Sequence, residues 1–340
     1  MELNQILHGD VSAKLREIPD EFVHQVITSP PYWGIRDYKF EGQIGLEPSF
    51  QDYINKLLEV FDEVKRVLRN DGTCWIVMGD TYSTNAFHSD WSGVTKHFDA
   101  RRLREGKFKK RVQRMLPLKS LCMIPARFAI GMLDRGWLLR NDIIWRKNNC
   151  IPSSVKDRYT VDYEHVFFFS KSKKYYFKTQ YEPYSQVTLK EFGQKYQGKN
   201  TKDYKSHMAQ NPSDVKRRII AGLKMPPIGG IKKAGGDNPM YSGNTPDFAF
   251  GRIARSVWTT NTQSFPEAHF STFPEKLVAK MISAGCPENG IILDCFIGAG
   301  TTALVALKMN RNFLGIEAKE EYITMSLKRI DKYLKQTKLM

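Results

Sequence analysis

The sequence contains few cysteines, and their positions form no recognisable pattern. Five cysteines occur in 340 residues, and no two of them are spaced as C-x-x-C. This spacing argues against a structural zinc site and against an even disulfide framework. We therefore expect a protein of the reducing cytosol, held together by a hydrophobic core for which a hydrophobic fraction of 41% is sufficient.

Long apolar runs are also missing. Nowhere do about 18 apolar residues follow one another, as a membrane-spanning helix would require. The segment 1–5 has no basic stretch leading into an apolar one, which is the pattern of a secretory signal. A cytoplasmic protein without a membrane partner is therefore expected. No internal repeat is evident, and 340 residues predict one large domain with an insertion or two domains.

Acidic residues are too few to balance the basic ones. The chain has 52 Lys and Arg against 36 Asp and Glu, a net charge of +16. The excess is local, because residues 96–119 carry +8 and residues 171–233 carry +11, whereas the rest totals −3. Tyrosines are interleaved with the lysines of the second window, which is either a phosphate-binding and base-stacking surface or a solvated insertion. Clustered charge of this kind favours a nucleic-acid partner.

One short motif combines two prolines with aromatic residues. It follows the apolar residues Val23, Val26 and Ile27, which predict a buried strand, and it reads Thr28-Ser29-Pro30-Pro31-Tyr32-Trp33. Successive prolines carry no N–H, so the turn presents hydrogen-bond acceptors only. Rigid acceptors beside a flat aromatic ring suit a planar ligand with an exocyclic amine, such as a nucleobase. The alternative is a stiff strand exit with two core aromatics.

A second motif lies near the C-terminus. Gly298-Ala299-Gly300-Thr301-Thr302-Ala303 follows a predicted strand, and Glu317 ends the next strand. Such glycines let the backbone approach a ligand, and the carboxylate can accept hydrogen bonds from both ribose hydroxyls. A nicotinamide dinucleotide is one candidate ligand. However, only one strand follows this unit, so the missing strands of the sheet must come from the N-terminus.

Strands and helices alternate outside the basic windows. We predict seven strands, at 4–10, 23–28, 73–78, 137–145, 166–170, 291–296 and 312–317. Predicted helices include 50–68, closed by Asn70-Asp71-Gly72, and a short one capped by Ser12. The alternation predicts an α/β fold with a mostly parallel, doubly wound sheet. Residues 81–116 lack periodicity and are expected to form a flexible basic loop.

Together the two motifs resemble a known family, the amino-group DNA methyltransferases that use S-adenosylmethionine and methylate cytosine N4 or adenine N6. Their order is similar to the β arrangement, in which the catalytic motif precedes the cofactor motif. The resemblance implies a Rossmann-like class I methyltransferase fold with a mostly parallel seven-stranded sheet and a circularly permuted motif order. It divides the chain into a catalytic half at 1–170, a target-recognition region at 171–255 and a cofactor-binding half at 256–340.

The resemblance also implies roles for individual residues. The catalytic group is Ser29, Pro30, Pro31 and Tyr32. The cofactor-binding group is Asp10, Phe273, Asp294, Phe296, Gly298, Gly300, Thr301, Thr302 and Glu317. The group in contact with the target base or DNA is Trp33, Lys109, Lys110, Arg111, Lys216, Arg217 and Arg218. No metal is required.

Cys295 and Ala299 depart from the Pro and Ser that the family commonly has in this loop. Since the loop acts through its backbone, cofactor binding is expected to survive.

The target base depends on Ser29. Serine at this position is typical of cytosine-N4 enzymes, whereas adenine-N6 enzymes usually carry Asp or Asn, so cytosine N4 is expected and adenine N6 is the alternative. Methylation of cytosine C5 would require a Pro-Cys nucleophile, and no cysteine here follows a proline. A nicotinamide-dependent oxidoreductase and an RNA methyltransferase are remoter alternatives. Double-stranded DNA is the expected partner in a nucleoid-associated cytoplasmic protein; a homodimer and a cognate restriction endonuclease are further partners that the resemblance admits.

Overall fold

The computed structural model describes residues 1–34, 42–83, 116–150, 152–183, 252–262 and 274–337. The chain divides into two compact units. The larger unit comprises Met1–Lys178 and Ser256–Met340, and the smaller one comprises Thr179–Arg255. Among the helices of the described ranges, none is both long and apolar enough to cross a membrane. The roles that the sequence assigns to three parts of the chain stay a prediction.

Ten strands and six helices occur within the described ranges. The strands are β1 (Gln5–His8), β2 (Val23–Thr28), β3 (Leu68–Met78), β4 (Leu138–Arg146), β5 (Tyr163–Ser170), β6 (Tyr181–Glu182), β7 (Arg252–Ile253), β8 (Val257–Thr259), β9 (Ile291–Asp294) and β10 (Asn312–Glu317). The helices are α1 (Val11–Glu17), α2 (Phe50–Val67), α3 (Ile124–Asp134), α4 (Glu275–Gly285), α5 (Thr301–Lys308) and α6 (Glu320–Thr337). In the smaller unit, β6 and β7 form an antiparallel pair.

The larger unit is built on one sheet with the strand order β1-β10-β9-β2-β3-β5-β4-β8. The first five strands of this order are parallel, β5 is antiparallel to both of its neighbours, and β8 is parallel to β4. The predicted α/β fold with a mostly parallel sheet is confirmed. The predicted number of seven strands is wrong, since β8 is an eighth. Its three residues are too few to show the alternation by which a strand is recognised in sequence.

Helices cover both faces of this sheet. One apolar cluster contains residues of α1, α2 and α3, and the other contains residues of α4, α5 and α6. Adjacent residues of β2 point to opposite clusters, Val26 to the first and Ile27 to the second. The strand is thus buried on both faces, although it also carries the buried polar residues Gln25 and Thr28.

The fold brings the two sequence motifs together. The strand before the proline motif, β2, lies directly beside the strand before the glycine loop, β9, with Val26 opposite Leu293. The two strands are parallel, so both motifs leave the sheet at the same edge. Ligands of open α/β sheets bind outside this carboxyl edge.

Two local predictions are wrong. Helix α2 ends at Val67, one residue before its predicted end, but Asn70-Asp71-Gly72 do not close it, because these three residues lie inside β3. They form an irregularity in the pairing with β2, where the register shifts between Val23 and Gln25. Helix α1 is capped by Asp10 and not by Ser12, which is its second residue. The Ala13 N–H donates to Asp10 Oδ1 at 3.0 Å, the usual geometry of an acidic N-cap.

Candidate active site

The proline motif leaves β2 as a turn that is fixed from outside. The hydroxyl of Tyr53 on α2 donates to the Pro31 carbonyl at 2.7 Å. Pro30 is buried, while Ser29, Pro31 and Tyr32 are half-buried. One of the two proline carbonyls is therefore already engaged within the protein.

Tyr32 is held by a partner from another strand. Its hydroxyl donates to Glu164 Oε2 on β5 at 2.9 Å. Burial and the adjacent Glu164 carboxylate raise the pKa of Tyr32 well above its ordinary value, so the phenol stays protonated and keeps donating. The sequence offered no signal for Glu164, because it lies 132 residues from Tyr32.

Trp33 turns toward the protein. Its indole Nε1 donates to the Glu47 carbonyl at 3.0 Å, and its ring meets the Phe50 ring edge-on with a centroid distance of 6.0 Å. The ring also packs against the apolar cluster of α1, α2 and α3. The predicted contact of Trp33 with the target base stays a prediction.

A buried carboxylate links the two motifs. Asp294 ends β9 and is 1% exposed. Its Oδ1 accepts from the Thr28 hydroxyl at 2.7 Å and from the Phe296 N–H at 3.1 Å, and its Oδ2 accepts from the Thr302 hydroxyl at 2.6 Å. Burial raises the pKa of Asp294 to about 6. Asp294 thus braces the strand of the proline motif against the glycine loop, and Thr302, also buried, is part of this brace.

Two glycines of the loop between β9 and α5 have left-handed backbones for different reasons. Gly300 has a φ of +75°, and a Cβ there would lie 2.8 Å from Ser326 Cβ, so close packing against α6 requires glycine. Gly298 has a φ of +49°, and the nearest atom to a Cβ there is the Phe296 carbonyl oxygen at 3.9 Å. The backbone at Gly298 therefore borders open space in which a ligand could lie.

Helix α6 holds this loop in place. The Ser326 hydroxyl donates to the Gly298 carbonyl at 2.6 Å, and the Arg329 guanidinium donates to the Ala299 carbonyl and, at 3.2 Å, to the Thr301 hydroxyl. Thr301 itself is 5% exposed. The motif predicted the turn, but neither residue of α6 carried a signal of its own.

Two carboxylates follow neighbouring strands at the same edge. Glu317 ends β10, and its carboxylate accepts from the Gly298 N–H at 3.0 Å and the Lys319 N–H at 2.9 Å. Burial raises the pKa of Glu317. Asp10 follows β1, which pairs with β10, and the Gly9 N–H donates to the Glu317 carbonyl at 3.0 Å. The Gly298 N–H and the Lys319 N–H each donate to a different carboxylate oxygen of Glu317. Each oxygen has a second lone pair, so it can still accept from a ligand.

Several predicted contact residues lie outside the described residues. They are Phe273 of the cofactor group and Lys109, Lys110, Arg111, Lys216, Arg217 and Arg218 of the DNA group. Phe296 is described, and it packs against the apolar cluster of α1, α2 and α3. The roles assigned to all of these residues stay predictions.

Comparison with known proteins identifies the family of this chain. Residues 23–328 match a family model of the N6/N4 class that is described as DNA methylase. The chain belongs to this DNA methylase family. The prediction of an amino-group DNA methyltransferase is confirmed at this level, and the alternative of a nicotinamide-dependent oxidoreductase is set aside. Whether the enzyme acts on cytosine N4 or adenine N6 is not decided by the family.

Curated relatives resemble the DNA methylase over nearly its whole length. It is 34% identical over 325 residues to the type II methyltransferase M.XycI of Xanthomonas campestris pv. cyanopsidis, covering 96% of this chain and 87% of the relative. It is 32% identical over 326 residues to the type II methyltransferase M.SmaI of Serratia marcescens, covering 96% and 90%.

Solved structures share the fold. The PvuII DNA methyltransferase, titled cytosine-N4-specific, matches with a TM-score of 0.57 and 19% identity, covering 97% of this chain and 86% of that one. A putative DNA modification methylase of Thermus thermophilus, crystallised with S-adenosylmethionine, matches with a TM-score of 0.50 and 20% identity, covering 96% and 95%. The DNA methylase thus has the class I methyltransferase fold.

Proposed function

We propose that this DNA methylase transfers a methyl group from S-adenosylmethionine to the exocyclic N4 of a cytosine that is flipped out of double-stranded DNA. The observation that carries the proposal is the 2.7 Å hydrogen bond between Thr28 Oγ1 and Asp294 Oδ1. It fastens the residue before Ser29 to the start of the glycine loop. Two binding sites built on these motifs would lie side by side, as a transfer between two bound molecules requires.

The glycine loop and its surroundings fit S-adenosylmethionine. The open space beside Gly298 gives a ligand access to the backbone, and Glu317 retains acceptor capacity for ribose hydroxyls. Asp10, beyond the neighbouring strand, is assigned to the adenine amine through its carboxylate oxygen Oδ2, because Oδ1 caps α1. Asp294 and Thr302 act indirectly by bracing the loop. When bound, S-adenosylmethionine supplies a methyl group made electrophilic by the adjacent positive sulfur.

The proline turn fits an amine nucleophile. The amine of cytosine is weakly nucleophilic because its lone pair is shared with the ring. If the Ser29 hydroxyl and the Pro30 carbonyl accept its two hydrogens, the nitrogen can become pyramidal and direct its lone pair outward. The Pro31 carbonyl already accepts from Tyr53, which supports Pro30 as the proline acceptor for the base. Alignment of two reactants can contribute roughly 7–11 kcal/mol toward the barrier.

Tyr32 provides the stacking surface for the flipped base. Taking a base out of a duplex costs a few kcal/mol, and stacking on an aromatic ring returns about 1–3 kcal/mol. The half-buried Tyr32 ring lies directly beyond the two proline carbonyls. The acceptors for the target base and the ring on which it stacks would then belong to one short turn.

DNA as the substrate is supported by the charge of the segment 84–115. The Ser83 hydroxyl donates to the Leu116 carbonyl at 3.2 Å, so the residues flanking segment 84–115 lie together just beyond the carboxyl end of β3. That segment has nine Lys and Arg against three Asp and Glu. Ser83 and Leu116 thus lie at the edge that carries the proline turn. Cationic side chains can neutralise DNA phosphates.

Cytosine N4 is proposed over adenine N6 because serine stands at position 29 and because the PvuII structure that shares the fold is titled cytosine-N4-specific. We also propose the permuted motif order, a nucleoid-associated cytoplasmic location and, since the relatives are named type II methyltransferases, a companion restriction endonuclease. A homodimer is a further expectation.

Nucleoside mass spectrometry tests the proposal directly. The purified protein is incubated with labelled S-adenosylmethionine and unmethylated genomic DNA, and the DNA is digested to nucleosides. Labelled N4-methylcytosine is expected. Labelled N6-methyladenine would overturn the choice of base, and a product found in RNA but not in DNA would overturn the choice of substrate.

A further inference from the structure

The ring of Tyr32 is confined on its edge as well as at its hydroxyl. A Cβ placed on Gly79 would lie 2.9 Å from Tyr32 Cε2 and 3.5 Å from Glu164 Cγ. Only a residue without a side chain at position 79 therefore lets Tyr32 and Glu164 meet. The ring edge against Gly79 and the hydroxyl on Glu164 together fix the plane in which the ring lies.

Glu164 is itself held by a cation. Its second carboxylate oxygen, Oε1, accepts from the Lys147 ammonium, and the two side chains are 14% and 20% exposed. Lys147 follows β4 directly, and its Nζ lies 4.8 Å from the centre of the Trp145 ring. A carboxylate so far removed from water needs a charged partner, and Lys147 supplies it.

The connection of Tyr32 to Lys147 spans four strands of the sheet, β2, β3, β5 and β4, and uses residues on or next to three of them. Tyr32 follows β2, Glu164 lies on β5, and Lys147 follows β4, which pairs with β5. A charged acceptor forms a shorter and more directional bond to a phenol than a neutral one does. The hydrogen bond from Tyr32 to the ion-paired Glu164 therefore restricts the orientation of the ring more than apolar packing alone would.

We propose that Glu164, held by Lys147, is a positioning residue that sets the ring of Tyr32 for stacking on the target base. This inference rests on the proposed function of Tyr32. Glu164 acts only through the Tyr32 hydroxyl and does not touch the substrate. Losing it leaves the stacking ring present but free to rotate away from the orientation in which the amine of the base meets Ser29 and Pro30.

An ion pair that merely joins β4 to β5 would behave differently. The chain provides such a pair for comparison, since Arg146 on β4 lies 3.3 Å from Asp162, which directly precedes β5. The Tyr32 hydroxyl bonds to Glu164 and not to Asp162. Removing a purely structural pair would lower the melting temperature without a specific effect on turnover. It would also act independently of the Tyr32 hydroxyl.

A double-mutant cycle on the full-length protein separates these roles. The variants are Glu164→Ala, Tyr32→Phe, the double variant and the matched control Asp162→Ala. Methylation of unmethylated plasmid DNA is measured with labelled S-adenosylmethionine, giving kcat and the KM for DNA, and cofactor affinity and melting temperature are measured in parallel. Glu164→Ala is expected to lower kcat by about tenfold with little change in the KM for DNA, because phosphate contacts dominate DNA affinity.

The decisive quantity is the effect of Glu164→Ala once the Tyr32 hydroxyl is absent. In the Tyr32→Phe background, Glu164→Ala is expected to change kcat by less than about twofold, because both changes break the same bond. Glu164→Gln should recover part of the loss, since its amide oxygen can still accept from the phenol. Asp162→Ala should retain the wild-type kcat.

Three outcomes would count against the inference. A tenfold loss from Glu164→Ala that persists in the Tyr32→Phe background would overturn it, as would a kcat for Glu164→Ala equal to that of Asp162→Ala. In both cases the wild-type enzyme methylates DNA, so the failure lies with the role of Glu164 and not with DNA methylation. A wild-type protein that methylates no DNA would overturn the proposed function and this inference with it.

Discussion

The proline turn and the glycine loop meet at the same edge of the sheet, but they are held there in different ways. The glycine loop depends first on its own backbone, with left-handed φ values at Gly298 and Gly300, and Ser326 and Arg329 of α6 then bind its carbonyls. The proline turn is fixed instead by side chains of distant elements, Tyr53 on α2 and Glu164 on β5. A motif can therefore be recognised in sequence although the groups that give it its geometry cannot. Variants at each site show whether this difference matters for catalysis.

The largest effect is expected from removing the Ser29 hydroxyl. Ser29→Ala deletes one of the two proposed acceptors for the amine while leaving the prolines and Tyr32 in place. A drop in kcat of about 10²-fold or more is expected, comparable to losing one preorganised hydrogen-bonding group in other active sites. Turnover assays with labelled S-adenosylmethionine, combined with DNA-binding measurements, check this.

Affinity for DNA and for the cofactor should stay close to wild type in Ser29→Ala. Ser172→Ala is a suitable control, because Ser172 follows β5 at the opposite edge of the sheet and its hydroxyl donates locally, to the Lys174 carbonyl. Turnover by Ser29→Ala within about twofold of wild type would exclude the hydroxyl from the reaction.

The two glycines of the loop should respond differently to alanine. Either change costs roughly 1–2 kcal/mol for a left-handed backbone. Gly300→Ala also forces a Cβ to within 2.8 Å of Ser326, so it should lower the melting temperature further. Gly298→Ala enters open space and should mainly reduce S-adenosylmethionine affinity, by about tenfold or more, because its methyl group occupies the ligand side of the loop.

For both glycine variants, titration calorimetry measures the affinity for S-adenosylmethionine and thermal denaturation measures the melting temperature. Equal losses of stability together with unchanged cofactor affinity for Gly298→Ala would show that the ligand does not lie beside Gly298. The glycine loop would then resemble the proline turn, with its function depending on contacts that the motif does not reveal.

Sequence reasoning predicted what local chemistry determines. The strand Asn312–Glu317 is found with its predicted bounds. The apolar run at 166–170 predicted a buried strand, but nothing in it showed that β5 runs antiparallel, because a strand buried on both faces reads alike in either direction. The composition of an apolar segment does not show which strands it pairs with or in which direction.

The residues that sequence reasoning missed share one property. Tyr53 lies 22 residues from the carbonyl it binds, Ser326 lies 28 residues from Gly298, and Glu164 lies 132 residues from Tyr32. Tyr53 lies within the predicted helix 50–68, but its hydroxyl bond depends on where the turn lies after folding. Hydrogen bonds across the fold have no spacing rule of the kind that helices and strands obey.

The brace between the two motifs should make stability depend on pH. Burial raises the pKa of Asp294 to about 6 from its ordinary value of 3.8, so the folded protein holds this proton more tightly than the unfolded chain does. Folding stability from this group therefore falls as the pH rises from about 4 to about 6, and it stays at the lower level above that. Asp294→Asn removes the ionisation, so the difference in melting temperature between variant and wild type should shift in favour of the variant over this range.

Thermal melting between pH 4 and pH 7 measures this shift. Some pH dependence will remain in Asp294→Asn because burial also raises the pKa of Glu317. Asp71→Asn is a matched control, since the Arg69 guanidinium lowers the pKa of Asp71 and its contribution has the opposite sign. Parallel pH profiles for wild type and Asp294→Asn would show that Asp294 is not a buried, readily protonated brace.

The smallest effect is expected from removing the Tyr53 hydroxyl, a support of the proline turn that lies on α2. Tyr53→Phe removes the hydroxyl that donates to the Pro31 carbonyl at 2.7 Å and keeps the ring in the core. A single hydrogen bond is worth about 0.5–1.5 kcal/mol, so a fall in kcat of severalfold and a small loss of stability are expected, with cofactor affinity unchanged. Tyr175→Phe is a control, because it removes a hydroxyl that accepts from the Arg140 guanidinium at 2.7 Å, away from the proline turn. This variant should lose stability without losing turnover. If Tyr53→Phe matched Tyr175→Phe in turnover, the turn would be rigid through its prolines alone, and the contrast with the glycine loop would reduce to the contribution of Glu164.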